Sequence, residues 1–185
     1  MELLGLKKVK DGKYLKNYEL TYLNKAGKEK TYEIVSRKEL HNIDDLGVQP
    51  SGISIVATCE DKMLLLHEFR MGVNKKIYNL CAGMLEADES IEDCVARELY
   101  EETGLKLKKI KKILPASYAA VAISDLKTYI VFAEVTGAFE DHSSPNEEIS
   151  AAFYTRSEVT SLLETADFSS RAQMAAYFFT QGYLS

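Results

Sequence analysis

The chain has 185 residues and a mass of 20.8 kDa, enough for one domain core but not for two large ones. Hydrophobic residues make up 46% and charged residues 28%, which excludes an intrinsically disordered chain. With 23 Lys+Arg against 28 Asp+Glu the formal charge is −5, so the cation surplus that wrapping nucleic acid requires is missing.

The first six residues, Met1 to Leu6, run straight into Lys7 and Lys8, so no signal peptide is expected. No apolar run approaches the roughly 20 residues of a membrane helix. Cys59, Cys81 and Cys94 show no CxxC spacing and predict neither a disulfide framework nor a zinc site. His41, His67 and His142 are far apart in sequence. The expectation is a soluble cytoplasmic protein with no membrane and no nucleic-acid partner.

In chain order, Tyr18, Leu20 and Tyr22 alternate on one run and Tyr32 and Ile34 on the next, separated by Asn24-Lys25-Ala26-Gly27-Lys28. Gly and Asn tolerate the positive φ of a tight turn, so this reads as a β-hairpin. A polar connector from Lys38 to Ser51 follows and sets an N-terminal subdomain of residues 1–50 apart from a second domain, 51–185. Beyond it Ile53 to Thr58, Met63 to Phe69 and Ile77 to Cys81 form apolar runs with little alternation, the pattern of strands buried on both faces. Ser90 to Thr103 reads as a helix with Ser90 and Asp93 as an N-terminal cap and Gly104 as the terminator. Strands at Lys127–Val135 and Ile149–Tyr154 and helices at Ser157–Thr165 and Ser170–Thr180 complete an α+β or α/β/α arrangement.

On the 90–104 helix, Ile91, Val95 and Leu99 make an i,i+4 apolar stripe with Cys94 beside it, and Glu98 and Glu102 fall in or beside that stripe. Glu101 is one step round. Carboxylates so placed are costly without compensation, and Arg97 is the one adjacent cation. A divalent metal with a preference for hard oxygen ligands, Mg²⁺ or Mn²⁺, is the natural partner for them.

Upstream stand Gly83 and Glu89, then Arg97-Glu98-Leu99-Tyr100-Glu101-Glu102-Thr103-Gly104-Leu105. The chain here resembles the Nudix hydrolases, whose pattern G-x5-E-x7-R-E-U-x-E-E-x-G-U, with U aliphatic, is matched from Gly83 to Leu105. The resemblance implies a Nudix α/β/α sandwich preceded by the β-hairpin subdomain, with a loop-helix-loop that holds Mg²⁺ or Mn²⁺ and a substrate diphosphate. Carried over by position, Glu98 and Glu102 are metal ligands and Glu101 is a further ligand or a water-orienting carboxylate. Arg97 orients carboxylates by pairing with Glu89, and Gly83 admits the backbone turn.

Glu68-Phe69-Arg70 and Leu80-Cys81-Ala82-Gly83, together with the hairpin and linker, resemble the ADP-ribose pyrophosphatase branch. That likeness implies hydrolysis of ADP-ribose or an ADP-sugar to AMP and a sugar phosphate by a homodimer whose N-terminal subdomain helps to form the site. It makes the Ala82 carbonyl a metal ligand and places Arg70 and Met84 at substrate-contacting positions. In Ser144-Pro145-Asn146-Glu147-Glu148-Ile149, Glu147 matches a metal-associated glutamate, while Pro145 stands where the branch has its general base. The base is left open among Glu147, Glu148, Asp141 and the box itself. Where the branch has a Pro-Gly turn ending in Glu, this chain has Val121 and Ala122 and, at the Glu position, Leu126, and Asp125 is the candidate to substitute as a polar contact to the substrate. The alternatives are a Nudix hydrolase for another nucleotide and a non-catalytic nucleotide sensor.

Overall fold

The computed structural model describes residues 1–142 and 144–184. The chain divides into two compact units, one of residues 1–51 and 116–128, the other of residues 52–115 and 129–185. In the first unit, β1 (Glu2–Asp11), β2 (Lys16–Leu23) and β3 (Glu29–Ser36) form an antiparallel sheet in the order β1-β2-β3. The sequence hairpin is the β2–β3 pair, with Leu20 opposite Tyr32 and Tyr18 opposite Ile34. Its turn is held by Asn24, whose side-chain oxygen accepts from the N–H groups of Ala26 and Lys28. β1 extends the hairpin to three strands, with Leu6 opposite Leu20. Tyr18, Leu20, Ile34 and Leu40 are the core of this unit, and the buried Tyr18 hydroxyl is satisfied by accepting from the Leu40 N–H at 2.8 Å.

The second sheet has the strand order β10-β5-β4-β9-β8, where β4 is Gly52–Cys59, β5 Lys62–Arg70, β8 Lys106–Tyr118, β9 Lys127–Thr136 and β10 Ile149–Tyr154. β4 and β5 pair only at their hairpin end, Thr58 with Met63 and Cys59 with Lys62. The gap is filled by β6 (Lys75–Asn79), which pairs with β5, and β7 (Cys81–Met84), which pairs with β4. The run expected as one strand from Ile77 to Cys81 therefore breaks at Leu80, where the chain changes partner. Leu80 itself is buried, so the crossing is anchored.

Each face of this sheet buries its own helices, as strands apolar on both sides require. Ile53, Ile55, Leu64 and Leu66 face α1 (Ile91–Thr103) and pack on its Cys94, Val95 and Leu99. Val56, Met63 and Leu65 face the other way, onto Val159 of α2 (Arg156–Thr165) and Ala172, Ala176 and Phe179 of α3 (Ser170–Thr180). The result is the expected α/β/α sandwich. α1 begins where expected, with the Ser90 hydroxyl accepting from the Asp93 N–H at 3.1 Å. It ends at Gly104 in the left-handed region, φ 75°, a conformation that is inexpensive only for glycine. Among the described residues no helix is long and apolar enough to cross a membrane.

Candidate active site

The apolar stripe of α1 carries Glu98 to the sheet side, where it is 9% exposed. Beneath α1, β7 passes close enough that a Cβ on Gly83 would overlap the Glu98 carboxyl group. The adjacent Ala82 N–H donates to Glu102 Oε2 at 3.2 Å. Cys81, fully buried, offers its thiol to the same Glu102 carboxylate. Burial is the main reason that the Glu102 carboxyl is pushed up to about 8. Glu98 and Glu68 raise it further, while the Cys81 and Ala82 hydrogen bonds oppose the shift. Glu98 is also raised by burial, with Arg97 pulling the other way.

Arg97 is the hub of the loop-helix junction. Its Nε and Nη2 donate to the two oxygens of Glu89 at 2.8 and 2.9 Å, a bidentate fork. Nη1 donates to Glu98 at 2.7 Å and Glu101 at 3.1 Å, and Nη2 also donates to the Met84 carbonyl at 3.0 Å. The guanidinium holds Glu89 down at about 2. In turn Glu89 Oε2 accepts from the Glu86 N–H, which closes the loop ahead of α1. The pairing of Arg97 with Glu89 expected from the sequence is thus present, and one cation ties three carboxylates to a backbone carbonyl.

The structure gathers Ala82, Gly83, Arg97, Glu98 and Glu102 around this junction, with Glu101 on its exposed rim. Arg70, at the end of β5, points an exposed side chain toward the buried Glu68, Nη1 to Oε2 3.4 Å. Met84 is exposed and contributes its carbonyl to Arg97. Glu147 accepts from the Ser144 N–H at 3.0 Å across its own turn. Among the described residues, no hydrogen bond or ion pair joins it to Glu98, Glu101 or Glu102. Glu148 pairs with Lys76 at 2.6 Å. Asp125 belongs to the first unit, where it lines a cavity of about 260 Å³ with Tyr22, Tyr32 and Tyr118.

Sequence reading missed Glu68 and Cys81. The signal for Glu68 is its place in the period-2 row Leu64, Leu66, Glu68, which puts a carboxylate on a core-facing track. Cys81 had no signal, because a lone thiol in a strand is usually packing.

The donor chemistry fits a hard divalent cation. Glu98 and Glu102 are sheltered carboxylates whose ionisation burial penalises, Glu68 adds a third charge nearby, and Arg97 cannot neutralise them all. Among the described residues no three His, Cys, Asp or Glu side chains converge at metal-binding geometry.

Gly83→Ala tests the close approach of β7 to α1. The added methyl displaces the Glu98 carboxyl group, and the expected result is a loss of roughly tenfold or more in Mn²⁺ affinity with the helix content retained. Mn²⁺ titration followed by electron paramagnetic resonance, beside circular dichroism, reads both.

The family model described as NUDIX domain matches residues 48–178. An ADP-ribose pyrophosphatase from Bacillus subtilis (strain 168) is 32% identical over 100 residues, 54% of this chain and 54% of that protein. A NAD-capped RNA hydrolase NudC from Mycobacterium tuberculosis (strain ATCC 25618 / H37Rv) is 29% identical over 150 residues, 80% of this chain and 44% of that protein. The chain thus spans about half the length of the curated relatives it matches. A crystal structure of an ADP compounds hydrolase superposes with a TM-score of 0.76 at 19% identity, covering 100% of this chain and 95% of the other, a likeness of fold.

Proposed function

Because this chain belongs to the NUDIX domain family, we propose that it hydrolyses the diphosphate of a nucleoside diphosphate linked to another group, ADP-ribose or an ADP-sugar, releasing AMP and a sugar phosphate. The observation that carries this reading is the pair Glu98 and Glu102, held on the sheet side of α1 beside Arg97. The named relatives support the substrate class: ADP-ribose and NAD share an adenosine diphosphate half.

Glu98, Glu102 and the Ala82 carbonyl would hold Mg²⁺ or Mn²⁺, with Glu147 as a further ligand. Such an ion supplies charge neutralisation on the diphosphate oxygens and lowers the pKa of water. The chain's own residues do the rest. Arg97 keeps Glu98 and Glu101 in fixed positions. Glu101 or Glu147 orients the attacking water and takes its proton, while Arg70 binds the diphosphate through its guanidinium. Met84 and Asp125 contact the substrate. Residues 1–50 serve dimerisation and the substrate side. We read the protein as a cytoplasmic homodimer, and its three free cysteines suit a reducing compartment.

The test is purified protein with Mg²⁺ against a panel of ADP-ribose, ADP-glucose, NAD, a dinucleoside polyphosphate and an oxidised nucleotide, with AMP release followed by chromatography. The highest kcat/KM is expected for ADP-ribose or ADP-glucose. Turnover of none of them refutes the enzyme, and a better rate on another member reassigns the substrate. Light scattering of the same sample reads the oligomer.

A further inference from the structure

Arg70 sits at the exposed end of β5, and a half-free arginine on a strand end is a poor anion receptor unless something fixes its side chain. That support lies two residues back. Leu64, Leu66, Glu68 and Arg70 share one face of β5, the first two in the core beneath α1. Glu68 continues the row as a carboxylate only 6% exposed. Its Oε2 faces Arg70 Nη1 at 3.4 Å, and its Oε1 accepts from Asn79 Nδ2 at 2.6 Å. Asn79, on β6, accepts in turn from the Ser169 hydroxyl at 2.6 Å.

The amide orientation is forced. An ionised carboxylate only accepts, so Nδ2 must face Glu68, which leaves Oδ1 for the hydroxyl. Ser169 is itself fixed, as the cap of α3, with its Oγ accepting from the Ala172 N–H at 3.3 Å and its N–H donating to the Tyr78 carbonyl at 3.0 Å. A continuous chain of polar contacts therefore runs from the start of α3 through Asn79 and Glu68 to Arg70.

We propose that Glu68 is a positioning residue for the reaction: anchored by Asn79 and Ser169, it aims the Arg70 guanidinium at the substrate diphosphate. This rests on the reading of Arg70 as the diphosphate-binding residue. The role belongs to substrate binding rather than to the chemical step, since Glu68 acts through Arg70 and not on the reacting atoms. Neither Asn79 nor Ser169 belongs to the Gly83–Leu105 box, so the box alone does not specify this support.

A double-mutant cycle decides it. Glu68→Gln keeps an acceptor for Asn79 and removes the charge that holds Arg70; Arg70→Ala removes the guanidinium. Each is expected to raise KM for ADP-ribose about five- to tenfold with kcat within about twofold, and the double variant is expected to be no worse than Arg70→Ala alone. Asn79→Ala, with both charges in place, is expected to raise KM about threefold. The same cycle is read on the dissociation constant of ADP-ribose in Ca²⁺ by calorimetry, which needs no turnover. Wild-type protein that binds ADP-ribose in Ca²⁺ but does not hydrolyse it in Mg²⁺ refutes the enzyme reading and leaves the cycle readable. Wild-type protein that does not bind ADP-ribose refutes both. Multiplying effects in the double variant overturn the positioning role, as does a loss of melting temperature with unchanged KM. A Mn²⁺ dissociation constant that rises more than tenfold in Glu68→Gln, without coupling to Arg70, overturns it in favour of a cation ligand.

Discussion

Glu102→Gln is expected to lower kcat roughly a hundred- to a thousandfold while making the metal-free protein more stable at alkaline pH. Both effects come from one carboxyl. In the fold it is pushed from the ordinary 4.5 to about 8 by burial, so between those values the folded state holds a proton that the unfolded state has released. Stability of the metal-free protein therefore falls as pH rises through this window, by an amount on the order of a few kcal/mol. The amide cannot ionise and removes the slope. It can still accept from the Ala82 N–H and the Cys81 thiol, so the local fold is retained. On the proposed reading a divalent cation takes the proton's place, and its stabilisation should then grow with pH: about 5–10 °C in melting temperature for Mn²⁺ at pH 8, and little at pH 5. Thermal melts of both proteins from pH 4.5 to 8.5, with and without Mn²⁺, check this. A pH-independent Mn²⁺ shift would place the cation away from Glu102.

Arg97→Ala is the second large effect, and it falls on folding as well as on activity. The side chain holds Glu89, Glu98, Glu101 and the Met84 carbonyl. Its loss leaves half-buried carboxylates facing one another without a counter-charge. The expected cost is about 2–4 kcal/mol, read as a fall of about 5–15 °C in melting temperature. Arg97→Lys should recover only part of it, because an ammonium group cannot fork across both oxygens of Glu89. The acid limb provides a separate signature. Arg97 depresses Glu89 from 4.5 to about 2, so the stability this pair contributes is complete above the ordinary value and is lost as pH falls toward 2. In Arg97→Ala that dependence should shrink in acid melts, leaving the smaller part that the Glu86 N–H contributes.

The elements legible in the sequence are those whose signal is local. α1 announces itself by a cap at Ser90, a stripe of Val95 and Leu99 and a terminating Gly104. The β2–β3 pair does so by alternation around a turn containing Asn24 and Gly27. β1 and β8 carry no local signal, because the lysines that crowd Lys7 to Lys10 and Lys106 to Lys112 hide any alternation, and such strands are defined by the neighbour they pair with. The break at Leu80 was invisible for the same reason: which of β4 and β5 a residue bonds to is a tertiary matter. In the site, the inward turn of Glu98 follows from spacing on a helix, while the pairing of Arg97 with Glu89, which precedes the helix, follows from the family resemblance. Glu68, Asn79 and Cys81 meet the box only through the sheet, across separations that no local pattern spans. Glu147 and Asp125 were assigned by likeness alone, and their parts in the reaction are proposals.

β8 bears on how copies of the protein meet in solution. It is the outermost strand of its sheet, and an open edge offers unpaired backbone groups to any other strand. Here that edge carries Lys106, Lys108, Lys109, Lys111 and Lys112 within seven residues. Glu134 of β9 engages only Lys108 and Lys111, and Lys106, Lys109 and Lys112 stand exposed. Two such edges brought side by side would place lysine against lysine over most of their length. In a chain whose net charge is negative, five of its 23 cations thus stand together where they guard against fibril-like stacking.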